Sequence, residues 1–125
     1  MLAHDRPTLL LDEPTLGLDR HDTIGTVATL RESAAEGRGI MFASHDLRLV
    51  TTLADRIVVL AEGAVIADGP VHLVLRRPDV LQRAGLRLPA LVAWLLEHVP
   101  SPAGVRDVLD ALDDAATPPR ASAAS

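Results

Sequence analysis

Apolar residues come in short bursts along this chain, and the spacing inside each burst predicts a different element. Thr8–Asp12, "TLLLD", is a continuous apolar run with the pattern of a strand buried on both faces, as in a parallel sheet. From Thr23 to Glu36, Ile24, Val27, Leu30 and Ala34 recur at helical spacing, and Gly37 follows where a C-cap belongs. "GIMFAS", Gly39–Ser44, predicts a second buried strand. Residues 46–55 return to helical spacing through Leu47, Val50, Leu53 and Ala54. Strand, helix, strand, helix in that order indicates an α/β layer architecture with parallel strands.

The pattern then changes. "RIVVLAEGAVIADG" predicts two short strands joined at Glu62-Gly63 as a hairpin, and Gly69-Pro70 closes that unit. From Val71 onward the spacing is helical and interrupted by prolines, giving segments 71–77, 78–84, 89–99 and 103–116. The last nine residues, "TPPRASAAS", are small, polar and proline-bearing, and disorder is expected there. No internal repeat is visible.

Composition narrows the function classes. With 125 residues and a hydrophobic fraction of 48%, the chain can build a core and is the size of one domain or a piece of a larger one. Its net charge is -5 and Phe42 and Trp94 are its only aromatic residues, so a base-stacking nucleic-acid surface is not expected. The absence of cysteine excludes a disulfide scaffold and thiolate metal sites. "MLAHDRP" lacks the apolar core of a secretion signal. The most apolar stretches are interrupted by Glu62, Asp68 and Glu97, whereas a spanning helix needs roughly 20 apolar residues. A soluble chain, able to dock onto a membrane protein, is therefore expected.

Candidate chemistry sits at the ends of the two predicted parallel strands. Asp12 closes the first, and strand ends of this kind face ligand crevices in open α/β sheets. A carboxylate there can hold magnesium beside nucleotide phosphates, and Glu13 is placed to orient or deprotonate an attacking water. An isolated Asp-Glu pair would more simply end a strand. This pair continues into "PTLGLD", and one helix and one strand later comes "SHD", Ser44–Asp46.

In that order and spacing, residues from Pro7 to about Gly69 resemble the ATP-binding (ATPase) subunits of ATP-binding-cassette (ABC) transporters. The resemblance makes "LLLDE" a Walker B motif, "GLD" a D-loop and His45 an H-loop histidine. It implies that Asp12 helps hold Mg2+, that Glu13 is the general base, and that His45 bonds the γ-phosphate of ATP and ties it to Glu13. Asp19 would organise contacts across the dimer in which two cassettes sandwich ATP. "VLQRAGLRLPALVAWL", Val80–Leu95, is similar to the C-terminal helical extension of cobalt and energy-coupling-factor (vitamin uptake) ATPases, where it helps two subunits pair. The alternative is that the stripe Leu88, Leu91, Val92, Leu95, Leu96 packs on its own domain. The expected fold is thus α/β: a partial P-loop NTPase core (1–70) with parallel strands and a terminal hairpin, a helical C-terminal extension (71–116), and a disordered tail (117–125).

The departures from that family matter equally. Its ATPases carry a GxxxxGK[ST] loop whose amides and lysine cradle the phosphates. All twelve basic residues here are arginine, and no such loop occurs, nor a Q-loop or an "LSGGQ"-type signature. Met1 therefore reads as an internal methionine of a longer protein, and the chain alone is expected not to bind ATP tightly. Gly39–Ser44 would then present an open apolar edge. The expected setting is cytoplasmic, against the inner face of the membrane, with a second ATPase subunit and membrane-embedded transporter subunits as partners and no nucleic acid. A non-catalytic fragment that only dimerises, or is vestigial, is the alternative.

"HD" occurs at His4-Asp5, His21-Asp22 and His45-Asp46, but the irregular histidine spacing argues against a metal phosphohydrolase site. Asp107, Asp110, Asp113 and Asp114 read as a solvated helix face rather than an interaction surface.

Overall fold

The computed structural model describes residues 8–116. The strands are β1 (Thr8–Asp12), β2 (Gly39–Ala43), β3 (Arg56–Ala61) and β4 (Ala64–Pro70). The helices are α1 (Arg20–Ala35), α2 (Leu47–Leu53), α3 (Val71–Val74), α4 (Pro78–Arg83), α5 (Ala90–His98) and α6 (Pro102–Ala116). The segment preceding β1 and the expected disordered tail at 117–125 lie outside the described residues.

β1 and β2 pair in parallel, Thr8 opposite Gly39 through Asp12 opposite Ala43, with α1 as the crossover. α1 begins at Arg20, three residues before the apolar spacing predicts. Asp19 caps it by accepting from the Asp22 amide at 2.8 Å, so the polar first turn is helical too. Its other end stops as the sequence predicts. Gly37 takes φ 94°, and its amide and that of Arg38 bond back to Ala34 and Ser33, a pattern that closes helices with a left-handed residue.

β3 and β4 form the expected antiparallel hairpin, with Glu62 at φ 54° and Gly63 at φ 77°. Two consecutive positive φ values define the type I′ turn, whose twist matches the flanking strands. Within the described residues these are two separate two-stranded sheets.

One expectation fails in an informative way. β1 and β2 were predicted to be buried on both faces, yet neither contains a buried residue. Phe42 on the inner face packs against the core, while the cross-strand pair Leu10 and Met41 on the outer face is 73% and 65% exposed. The apolar run is there to be covered on both sides, but nothing among the described residues covers the outer one.

The core lies elsewhere. Leu47 and Val50 of α2 join Val71, Leu75, Leu81, Val92 and Leu96 in one buried cluster, so the residues after 70 share a core with those before it. Val59, Ala67, Val74 and Val80 form a second, under the hairpin. Leu95, Val105 and Leu109 form a third that fastens α6 to α5. The stripe Leu88, Leu91, Val92, Leu95, Leu96 thus packs mostly inward: Val92, Leu95 and Leu96 are buried and Leu88 is partly so, with Leu91 left exposed.

The acidic face of α6 is corrected in half: Asp107 and Asp114 are exposed as expected, whereas Asp110 and Asp113 are engaged. Asp110 bonds Arg31 of α1 at 2.9 Å, and Asp113 bonds both Arg20 of α1 and Arg48 of α2. Arg106, Asp110 and Asp113 lie four and three residues apart, hence on one flank of α6. Arg106 donates to the Thr51 and Ala54 carbonyls and pairs with Asp55, and Arg31 donates to the Thr52 carbonyl at 2.7 Å. Two guanidinium groups therefore cap the carbonyl end of α2, where a short helix has no internal partners and carries partial negative charge. Exposed ion pairs contribute about 0–1 kcal/mol each. Burying a leucine is worth about 1.5–3 kcal/mol. Leu95, Val105 and Leu109 accordingly hold α6 in place, and the charged flank sets its orientation.

Candidate functional site

Glu13 and His45 meet at the carboxyl ends of β1 and β2. Glu13 extends the pairing by one residue, its amide donating to the Ala43 carbonyl at 2.8 Å. Its φ of 46° lies in the left-handed region, which costs a non-glycine residue on the order of 1–2 kcal/mol. The following turn holds it there, with the Leu16 amide donating to the Glu13 carbonyl at 3.0 Å. That backbone turn aims the Glu13 side chain across the strand ends instead of along β1.

His45 is held from the other side. Asp46 caps α2, its Oδ1 accepting from the Arg48 and Leu49 amides at 3.0 and 3.1 Å, while its own amide donates to Ser44 Oγ at 3.0 Å. The "SHD" triplet is thus a rigid corner, with serine and aspartate gripping backbone and histidine left pointing outward. His45 Nδ1 lies 2.6 Å from Glu13 Oε1. An ionised carboxylate only accepts, so Nδ1 carries the hydrogen and Nε2 faces away from the pair. The His45 side chain is 89% exposed and that of Glu13 only 24%.

The bond from the His45 ring holds the Glu13 carboxyl below the usual glutamate range. Partial burial opposes that shift, while the charge of His45, the Ser44 hydroxyl and the His45 amide reinforce it. A depressed carboxylate pKa means that the contact's stabilisation is fully present above the ordinary glutamate value. It is lost as pH falls through the lower folded-state value. A carbon-13 titration of the Glu13 carboxyl is expected to show a midpoint below that in His45→Ala; equal midpoints would rule out the bond.

Of the four residues singled out in the sequence, the structure brings two together. Asp12 is exposed at the end of β1, in register with Ala43. Asp19 is engaged as the cap of α1. Among the described residues no three His, Asp or Glu side chains converge to hold a metal ion. A single carboxylate still suits Mg2+, which is commonly held by one or two carboxylates with substrate phosphates and water completing its shell. Two surface clefts, of about 760 and 610 Å3, are lined by α1 and by the α2–α6 seam respectively, and neither includes Asp12, Glu13 or His45. The roles of Ser44 and Asp46 emerge only in the structure. The signal for them was local: an aspartate immediately before an apolar helical run, with a serine two residues earlier.

No protein-family model matches the chain. Individual relatives do. The cobalt import ATP-binding protein CbiO of Rhodobacter capsulatus is 38% identical over 108 residues, covering 86% of this chain and 39% of that protein. The energy-coupling factor transporter ATP-binding protein EcfA of Methanothermobacter thermautotrophicus is 38% identical over 89 residues, covering 71% of this chain and 29% of its own. Among solved structures, cbiO1 from Clostridium perfringens, described as part of the ABC transporter complex cbiONQ, superposes with a TM-score of 0.50. Its identity is 34%, and the match spans 72% of this chain and 36% of that one. The chain thus spans well under half the length of the relatives it matches. By sequence and by fold, it belongs to the family of ABC transporter ATP-binding proteins, corresponding to a C-terminal-like portion of them.

Proposed function

We propose that this chain carries the hydrolytic and switch portion of the ATP-binding subunit of an ABC importer of the cobalt or vitamin energy-coupling-factor kind. The observation that supports this most is the 2.6 Å contact between Glu13 and His45 at the ends of two adjacent parallel strands. Phosphoryl transfer to water needs a base beside the water, a donor to the γ-phosphate oxygens and a metal to neutralise charge. Glu13 is the base. His45 keeps Nδ1–H on Glu13 and turns Nε2 toward the phosphate; because a neutral ring with Nδ1–H offers Nε2 only as an acceptor, donation there requires the imidazolium. Asp12 supplies the Mg2+ ligand, and Asp19, at the start of α1, faces a second cassette.

Residues 1–70 are on this reading the second half of a cassette, and 71–116 the helical extension through which ATPase subunits pair. The partners are a second ATPase subunit and membrane-embedded transporter subunits, which places the chain against the cytoplasmic face of the membrane. Among the described residues no helix is long and apolar enough to cross a bilayer.

These residues act on a phosphate that other residues must hold. Asp12 and Glu13 are both acidic, and without a lysine-bearing amide cradle they repel a nucleotide's phosphates. The chain alone is therefore expected to give no saturable signal with a fluorescent ATP analogue and Mg2+. Micromolar binding that disappears in Glu13→Gln or His45→Ala would show that it forms a complete site. If subunit pairing persists without nucleotide binding in any assembly, the non-catalytic alternative is the correct one.

A further inference from the structure

We propose that Asp113, on the C-terminal helix α6, is a positioning residue for the Glu13–His45 pair. Its carboxylate ties the start of the helix that follows Asp19 to the start of the helix that follows His45. Asp113 Oδ1 accepts from Arg48 Nη2 at 2.6 Å and from Arg20 Nη2 as well, so one oxygen serves two guanidinium groups. Arg20 is the first residue of α1, directly after its cap Asp19. Arg48 stands in the first turn of α2, and its amide is bound by the cap Asp46, whose neighbour is His45.

Two features make the arrangement more than an exposed ion pair. The Asp113 side chain is 15% exposed, so its charge is shielded from water and interacts more strongly than a surface pair. Arg48 Nε is buried with no hydrogen-bond partner, so that guanidinium has given up hydration on one side. Remove Asp113 and two like charges remain facing each other, one of them partly desolvated. Without the shared oxygen the starts of α1 and α2 are no longer tied to one another. The corner Ser44–Asp46 moves with α2, because Asp46 grips both the Ser44 hydroxyl and the first turn of α2. His45 then leaves Glu13.

The functional meaning of this link rests on the reading given above, but the link itself does not. Its test is the ring-nitrogen NMR signature of His45 in the full chain at neutral pH, assigned with His45→Gln. The wild type is expected to show a His45 ring with the hydrogen on Nδ1 and the Nδ1 nitrogen shift of a donor to a carboxylate. Asp113→Ala is expected to lose that signal and Asp113→Glu to retain it. Asp110→Ala removes the Arg31 ion pair on the same helix without touching Arg20 or Arg48, and is expected to retain it too. Equal loss in Asp113→Ala and Asp110→Ala would mean a general loosening of α6 and overturns the proposal. So does a folded Asp113→Ala that keeps the signal, or a wild type without it. Should Asp113→Ala not fold, Arg48→Gln cuts a single arm, and loss or retention of the signal there decides the matter in the same sense. No nucleotide enters these measurements. A failure to support ATP hydrolysis leaves them standing, and a failure here leaves the nucleotide-binding test standing.

Discussion

Glu13→Gln, in a cassette completed with the phosphate-binding portion of a relative, is expected to lower ATP turnover roughly 10²–10⁴-fold, the range associated with loss of a positioned general base. Glutamine keeps the size of the side chain and an acceptor oxygen for His45 Nδ1, so the contact now measured at 2.6 Å survives in weakened form. What disappears is the ability to take a proton from water. Nucleotide affinity should therefore be unchanged or rise slightly, because one negative charge near the phosphates has gone. A steady-state assay separates the two: turnover falls while the concentration dependence stays. Turnover within about threefold of wild type, set against a base's usual contribution, would remove Glu13 from the chemistry and leave it a structural acceptor.

Leu109→Ala is expected to destabilise the fold by about 2–5 kcal/mol, the cost of deleting a buried leucine's methyl groups and leaving a cavity. Leu109 is fully buried and sits with Leu95 and Val105 in the cluster that fastens α6 to α5. The loss is a large part of the roughly 5–15 kcal/mol by which domains of ordinary stability persist. It should appear as a lower urea midpoint with an unchanged slope. Asp110→Ala, which removes only a half-exposed ion pair, should cost no more than about 1 kcal/mol. A Leu109→Ala loss no larger than that of Asp110→Ala would mean that charge, not apolar contact, holds α6.

Where the sequence was readable, the determinants were local. The hairpin turn at Glu62-Gly63, the stop of α1 at Gly37 and the proline breaks between the later helices each depend on residues within a few positions. The Glu13–His45 pair was legible because an acidic pair and a histidine at successive strand ends are brought together by parallel pairing alone. What could not be read depends on distance along the chain. Asp110 and Asp113 looked like a solvated face because their arginine partners lie 79 and 65 residues away. β1 looked doubly buried because an apolar run specifies the wish to be covered without specifying what covers it. The start of α1 was missed for a smaller reason: Asp19 and Asp22 are a cap signal that stands before the apolar spacing begins.

The bare outer face of β1 and β2 also affects how often the site exists. Glu13 and His45 are joined through β1 and β2, which contain no buried residue, while the buried residues of every core cluster come from α2 and the elements after it. Segments of that kind open locally at a free-energy cost well below that of global unfolding. The distance between Glu13 and His45 is then an ensemble property, set by the fraction of time the two strands stay zipped. A layer laid over Leu10 and Met41 would raise that fraction without touching either residue, so coverage of a sheet face would govern occupancy of a competent state.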